Sequence, residues 1–399
     1  MAFIKYALPL LAAAQAVFAA DCGDGDTIRI RSQSDLDKYN TCETLEGDVE
    51  LDKGLVDAVT INGVQRIKGA LTSNGADNIT QLSAPSLETI DKTFHLQGLT
   101  RLTALDFPEI NSVGELDFEA IPILQSLGFT KGITNAGGVS IVNTGLTSLD
   151  GISLNSVGRF IITDNTALET VDVNNLKNAT NLINFAGNYK DLEISLPNLA
   201  SGTNLTIRNV STVSVPSLEK LEGQLGFWGN TFSSLSAPNL TEAGDLVFED
   251  NARLSNISLP ALETVNGGFL ITRNDELNSI VFPKLATVTG AIDFSGAFDK
   301  ASLPALKNVR GGFNMQSTGN FSCETFNSWK DNTIHGTYKC EAETDNPTTS
   351  DGSSGSSTSS GGSGSDGSDD EDDAAVLTTA NVPVMAAAAI FGMLFQYVL

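Results

Sequence analysis

Apolar positions recur along most of this chain at a fixed spacing. The stretches 244–267 and 267–290 show it when each is indexed on its asparagine, Asn251 and Asn274. Apolar residues fall five and three places before the index (Leu246 and Phe248; Phe269 and Ile271) and three and six after it (Leu254 and Ile257; Leu277 and Ile280). Proline follows at plus nine (Pro260, Pro283), Leu at plus eleven (Leu262, Leu285), Val at plus fourteen (Val265, Val288), and Gly267 and Gly290 close the units. The frame also fits upstream, with Ala76, Leu99 and Asn165 at the index. The period is 21 to 23 residues, and about eleven or twelve copies run from near Leu45 to near Phe321.

A period near 22 predicts a solenoid, in which one coil cannot bury its apolar face alone and stacking supplies the core. The two-residue spacing before the index is strand period, so each unit contains a short strand. Thr, Ser, Asn, Gly and β-branched residues, with Pro and Gly at fixed offsets, argue against helix. The expected fold is all-β: a right-handed parallel β-helix, or a helix-poor leucine-rich-repeat-like coil. Twelve coils stacked roughly 4.8 Å apart would make a rod on the order of 55–60 Å long.

Asn165, Asn188, Asn230, Asn251 and Asn274 occupy the index position. Asn tolerates left-handed backbone and bonds turn amides, and stacked Asn side chains can bond one another, so a structural row is expected. Thr144, Val210 and Ala297 should break it. Asn209 lies one place out of register and should face water.

The ends differ from the repeat. Residues 1–19, with Lys5 followed by a short apolar run, read as a secretory signal. Residues 20–47 and 322–345 are expected to cap the open ends of the solenoid (48–321), where unpaired strand edges must be covered. The segment Ser34–Asp37 looks like a short helix capped by Ser34. Residues 346–373 are a Ser/Gly/Asp-rich stalk that lacks the apolar residues to fold. An apolar tail then ends the chain without a following Lys or Arg, so 374–399 read as the propeptide of a glycosylphosphatidylinositol (GPI) anchor. Asp373 is the favoured attachment residue, with Gly367 and Ser365 as alternatives.

A secreted chain changes how the remaining residues are read. Cys22, Cys42, Cys323 and Cys340 are expected to pair. Four cysteines allow three pairings, of which the nearest-neighbour one closes a short loop at each end. Seven Asn-x-Ser/Thr sequons become N-glycosylation candidates: Asn78, Asn178, Asn204, Asn209, Asn239, Asn256 and Asn320. The formal net charge of −25 excludes nucleic acid as a partner, because phosphate would be repelled.

These parts in this order resemble the fungal GPI-anchored cell-wall organisation proteins with a receptor L-domain-like β-helix, a group that includes sporulation-specific and cell-wall glycoproteins. The resemblance rests on Cys22…Ser32-Gln33-Ser34-Asp35-Leu36-Asp37…Cys42 with Leu45-Glu46-Gly47, on the Leu-Pro-x-Leu-x-x-Val-x-Gly coils, and on Phe321-Ser322-Cys323…Gly336-Thr337-Tyr338-Lys339-Cys340 before the stalk and tail. It implies a surface glycoprotein needed for wall integrity and morphogenesis, and it brings no catalytic residues.

The residues themselves offer little chemistry. His95 should point outward between inward Phe94 and Leu96, and His335 lies in the C-terminal cap. Neither carries the partners of a metal or nucleophile site, and no cofactor is expected. Asp117, Glu119, Asp164, Glu249, Asp250, Asp275 and Asp293 lie on or beside strands. On successive coils they would form an acidic row like that of a polysaccharide-cleaving β-helix, which makes a carbohydrate-active enzyme the alternative reading. Arg159, Arg208 and Arg273 are the arginines expected near that face, and outward Trp228 is a candidate to stack on a sugar. The leading expectation is a non-catalytic wall protein, held to the membrane by a GPI lipid, whose partners are wall polysaccharides or wall proteins.

Overall fold

The computed structural model describes residues 22–330 and 332–350. The signal segment, the stalk beyond 350, the tail and the anchor candidates Ser365, Gly367 and Asp373 lie outside the described residues. Within them the chain is a parallel β-solenoid. Fourteen parallel pairings link fifteen strands, from Ile28–Ile30 through Leu246–Glu249 to Tyr338–Glu341, into one long sheet. Partners lie one period apart, as in Leu246 beside Phe269 and Phe269 beside Ile292. The rungs outnumber the eleven or twelve expected copies. Part of the excess lies at the ends, where each segment expected as a cap contributes a strand: Ile28–Ile30 pairs with Val49–Leu51, and Tyr338–Glu341 pairs with Phe313–Ser317. Fourteen steps make a rod about 65 Å long.

Each coil also carries more strand than the one expected. A short strand follows the index by five residues, as in Asn256–Ser258, and stacks in small separate sheets. A second, as in Thr264–Val265, lies at the apolar plus-fourteen position and pairs with its equivalents. Between the N-terminal and C-terminal coils this strand runs on into the main one, giving the ten-residue strand Ser112–Ile121.

The core is the repeat turned inward. Phe94, Phe118, Phe160, Phe185, Phe227, Phe248, Phe269, Phe294 and Phe313 are all fully buried on the main sheet. They meet in successive coils, Phe227 stacked on Phe248 at 5.2 Å and Phe269 edge-on to Phe294 at 4.9 Å. Such aromatic pairs add about 0.5–1.5 kcal/mol beyond their burial. Glycine closes the units because backbone lies on backbone there: a Cβ on Gly290 would sit 2.6 Å from the carbonyl of Gly267.

The buried Asn row is continuous with the backbone. Asn251 Oδ1 accepts from Asn230 N (3.0 Å) and Nδ2 (2.9 Å), while Asn251 Nδ2 donates to Phe227 O (3.1 Å) and Asn274 Oδ1 (2.9 Å). Asn165 and Asn188 repeat this arrangement. Two expectations change. Thr144 extends the row instead of breaking it, because its hydroxyl donates to Asn165 Oδ1 at 2.6 Å. The left-handed backbone belongs to the residue before the index, at Asp164, Gly187, Asn209, Gly229, Asp250 and Arg273 among others. The turn at that residue aims the next side chain inward, where its amide group serves two coils.

Both disulfides close local loops, Cys22–Cys42 and Cys323–Cys340. At the N-terminal end the helix Gln33–Leu36 is capped by Ser32 and not by Ser34. Ser32 N–H donates to Asp35 Oδ2 at 3.1 Å, which places the acid in the first helical turn. The Lys38 ammonium at 2.6 Å, the Arg31 N–H and the Ser32 hydroxyl hold the Asp35 carboxyl at about 2. A carboxyl lowered in the folded state contributes stability that is present above its unfolded value near 4 and is lost as pH falls towards 2. Protection of the amides at 32–39, taken relative to their intrinsic exchange rates, is therefore expected to fall between about pH 4 and pH 2, and Asp35→Asn to remove that dependence. An unchanged profile in the variant would show that other groups govern the acid limit.

Candidate functional site

Alternation along each strand gives the long sheet an outward face, and adjacent rungs place equivalent side chains side by side. Near the N-terminal end this face is laced by ion pairs between coils, such as Arg29–Glu50 and Lys92–Asp48. Each is exposed and adds little alone. Arg29 joins the face from the segment expected only as a cap, so the arginines there are not limited to Arg159, Arg208 and Arg273. Arg159 reaches across two coils to Glu115 at 2.8 Å.

His95 points outward as expected, its Nδ1 2.9 Å from Asp117 Oδ2 on the next rung. His335 is exposed in the C-terminal segment. The acids do not form a row. Neighbours of Asp117 along the rungs are His95 and Ser140; those of Glu249 are Trp228 and Thr272; those of Asp293 are Leu270 and Asn314. Glu119 accepts from Gln97 Nε2 at 2.8 Å, and Asp164 and Asp275 are exposed at coil corners. Asp293 is buried rather than solvated, covered by residues that follow the last rung. Coil lengths of 20 to 25 residues bring unlike residues into one register, which scatters the acids.

One groove does gather aromatic and charged side chains. Phe227 is fully buried, so Trp228 turns out onto the sheet face, half-buried. Gly226 beside it leaves the space the indole fills: a Cβ there would lie 2.0 Å from the ring. The Arg208 guanidinium stands 4.1 Å over the ring, and Trp228 Nε1 donates to Glu249 Oε2 at 3.0 Å. Arg273 then binds Glu249 and, at 2.6 Å, Asp250. Burial lowers the Arg208 pKa, whereas the Asp250 carboxylate raises that of Arg273. The groove thus holds an aromatic ring, two guanidinium forks and two carboxylates over four adjacent rungs, with Asn209 and Gly229 on its rim. Trp228 is less free than the sequence implies, since one face of its ring is already taken.

Asn209 is exposed on a left-handed turn, and Asn78, Asn239, Asn256 and Asn320 are exposed too. Asn178 and Asn204 are half-buried and tied to the next coil: Asn178 Oδ1 accepts from Ser201 Oγ, and Asn204 Oδ1 from Gln224 N.

Residues 1–40 match the family model for Ecm33, a GPI-anchored cell wall organization protein. Over the whole of both chains the sequence is 61% identical to Protein ecm33 of Aspergillus fumigatus. It is 41% identical to a cell surface GPI-anchored protein of Arthroderma benhamiae, covering 89% of this chain and 91% of that one. It is 34% identical to the cell wall protein ecm33 of Schizosaccharomyces pombe over 61% and 58% of the two chains. No solved structure matches.

Proposed function

The chain belongs to the Ecm33 family of GPI-anchored cell wall organisation proteins, and from that premise we propose that it is a non-catalytic wall protein that binds wall glycan through the groove at Trp228. Its place is the cell surface and wall, and its part is in wall organisation. The proposal includes the leader at 1–19, a stalk from the 346–373 segment that begins beyond the packed residues 347–350, a GPI lipid at Asp373 or one of its alternatives, and use of the exposed sequons. Release of the protein from intact cells by a phosphatidylinositol-specific phospholipase tests the lipid.

One observation carries the binding reading: the groove combines an indole with guanidinium and carboxylate groups that donate and accept hydrogen bonds in fixed positions. Sugar rings present an apolar face and a rim of hydroxyls, and this set matches both. The acids are held by arginines, which suits binding more than proton transfer. Binding is expected from a pull-down of the mature chain with insoluble wall polysaccharide. Trp228→Ala should reduce it roughly ten-fold, the loss of one aromatic contact of about 1.4 kcal/mol. Asn209→Gln should strengthen it, because a glycan on the rim would crowd the groove. Equal retention of wild type and Trp228→Ala would remove the groove from the account. Reducing ends released from the polysaccharide, and abolished by Asp250→Asn, would favour the enzyme reading instead.

A further inference from the structure

The polar residues Asp293, Asn314 and Gln316 are on the outward sheet face, yet they are only 7%, 5% and 1% exposed. What buries them is the chain itself. After the last rung, Tyr338–Glu341, the backbone turns at Glu343 in a left-handed conformation and comes back over the sheet. Thr344 N–H donates to Ser317 O at 3.1 Å as the segment leaves the end. Thr348 O then accepts from both Asn314 Nδ2 (2.8 Å) and Gln316 Nε2 (2.7 Å). Ser350 N–H donates to Asp293 Oδ2 at 2.8 Å, and its hydroxyl donates to the same oxygen. Asn314 Nδ2 also bonds Asp293 Oδ1 at 2.7 Å, Gln316 Nε2 bonds Asn314 Oδ1 at 2.7 Å, and Lys339 Nζ bonds Gln316 Oε1 at 3.1 Å, so the three side chains are locked to one another. Pro347 and Thr349 are buried between these contacts.

We propose that Asp293, Asn314 and Gln316 form a docking site for an extended, hydroxyl-bearing peptide, and that Pro347–Ser350 of this chain is its resident ligand. A carboxamide pair reads a backbone carbonyl, and a carboxylate reads an amide and a hydroxyl two residues further on. That is the pattern of a Ser/Thr peptide, not of a bare apolar strap. A buried carboxylate is costly unless hydrogen-bonded, and here the ligand supplies two of its bonds. Ser350, the last described residue, therefore lies over the sheet face, two rungs in from the C-terminal end, rather than at the tip of the rod. A wall ligand on this face is left the rungs before Asp293. The inference does not depend on the Trp228 groove.

Amide exchange and side-chain NMR on the full mature chain test it. Backbone amides 348–350 should exchange roughly ten-fold or more slowly than those of a free peptide. Ser350→Ala, which lies in the ligand and leaves the coils untouched, removes the hydroxyl bond to Asp293 and should weaken that protection several-fold while Met315 in the adjacent rung stays protected. Asp293→Ala should do the same. A synthetic peptide of residues 345–350 should then shift the Asn314 and Gln316 carboxamide signals of the Ser350→Ala chain, and not those of wild type. Three results overturn the proposal: protection unchanged by Ser350→Ala, no shift with the peptide, or a shift with β-glucan oligosaccharide in place of the peptide, which would make this a glycan site.

Discussion

Replacing Asn251 by alanine is expected to melt the rod locally around its tenth and twelfth rungs before the rest of the chain unfolds. The side chain is fully buried and serves two coils at once. Without it Asn230 N–H and Phe227 O lose partners in a place water does not reach. The orphaned Asn230 N–H costs about 1–3 kcal/mol, while Phe227 O keeps the ladder bond of its strand, so the loss is roughly 1–3 kcal/mol. Asn230 Nδ2 keeps its bond to Ile207 O at 3.1 Å, which limits the spread. Asn251→Asp should do worse, since it sets a carboxylate against Phe227 O and Asn274 Oδ1. In a stacked array stability is a sum of unit and neighbour terms, so hydrogen exchange is the right measurement. Amides of the strands Leu225–Trp228 and Phe269–Thr272 should lose protection first, while Leu71–Asn74 stays unchanged. Uniform loss along the rod would mean that it unfolds as one unit.

Removing the second disulfide, by Cys323→Ser with Cys340→Ser, is expected to open the C-terminal end. The bond ties the last rung to the short helix Glu324–Asn327. Closing a loop of that length contributes about 3 kcal/mol through the unfolded chain. The aromatic cluster it holds is small: Phe313 stacks on Tyr338 at 5.6 Å, and Phe326 packs on Phe313 at 5.6 Å and Trp329 at 5.0 Å. Among the described residues Tyr338–Glu341 pairs with one strand alone, so its departure leaves Phe313–Ser317 as an open edge. A lower melting temperature, fast exchange at 313–317 and self-association in sedimentation should appear together. A variant that stays monomeric with those amides protected would show that aromatic packing suffices.

The Trp228 groove was half legible in the sequence. Trp228 follows an inward Phe227, and alternation alone turns it outward. Its companions were not legible, because Arg208, Glu249 and Arg273 reach it from other coils and only the register sets which of them meet. Arg208 over the ring is a consequence of Gly226 leaving room for the indole to lie down. The acids illustrate the same limit: read along the chain they look like a series, yet stacking sets Asp117, Glu249 and Asp293 beside His, Trp, Leu, Asn or hydroxyl side chains. Asn314 and Gln316 gave no signal at all, since their partner Thr348 belongs to a segment whose composition reads as stalk.

The amino-acid order by itself determined the solenoid, its period, the inward aliphatic and aromatic stripe and the buried Asn row. These follow from strand alternation and from a repeat length that a single coil cannot bury. Tertiary structure alone decided which outward side chains meet, that the terminal segments add rungs, and that Ser350 returns to Asp293 fifty-seven residues back. Such contacts depend on how coils of unequal length come into register and on where the chain turns at Glu343. A periodic pattern is a local property of the backbone, whereas a meeting of distant polar groups is settled only when the stack forms and water leaves.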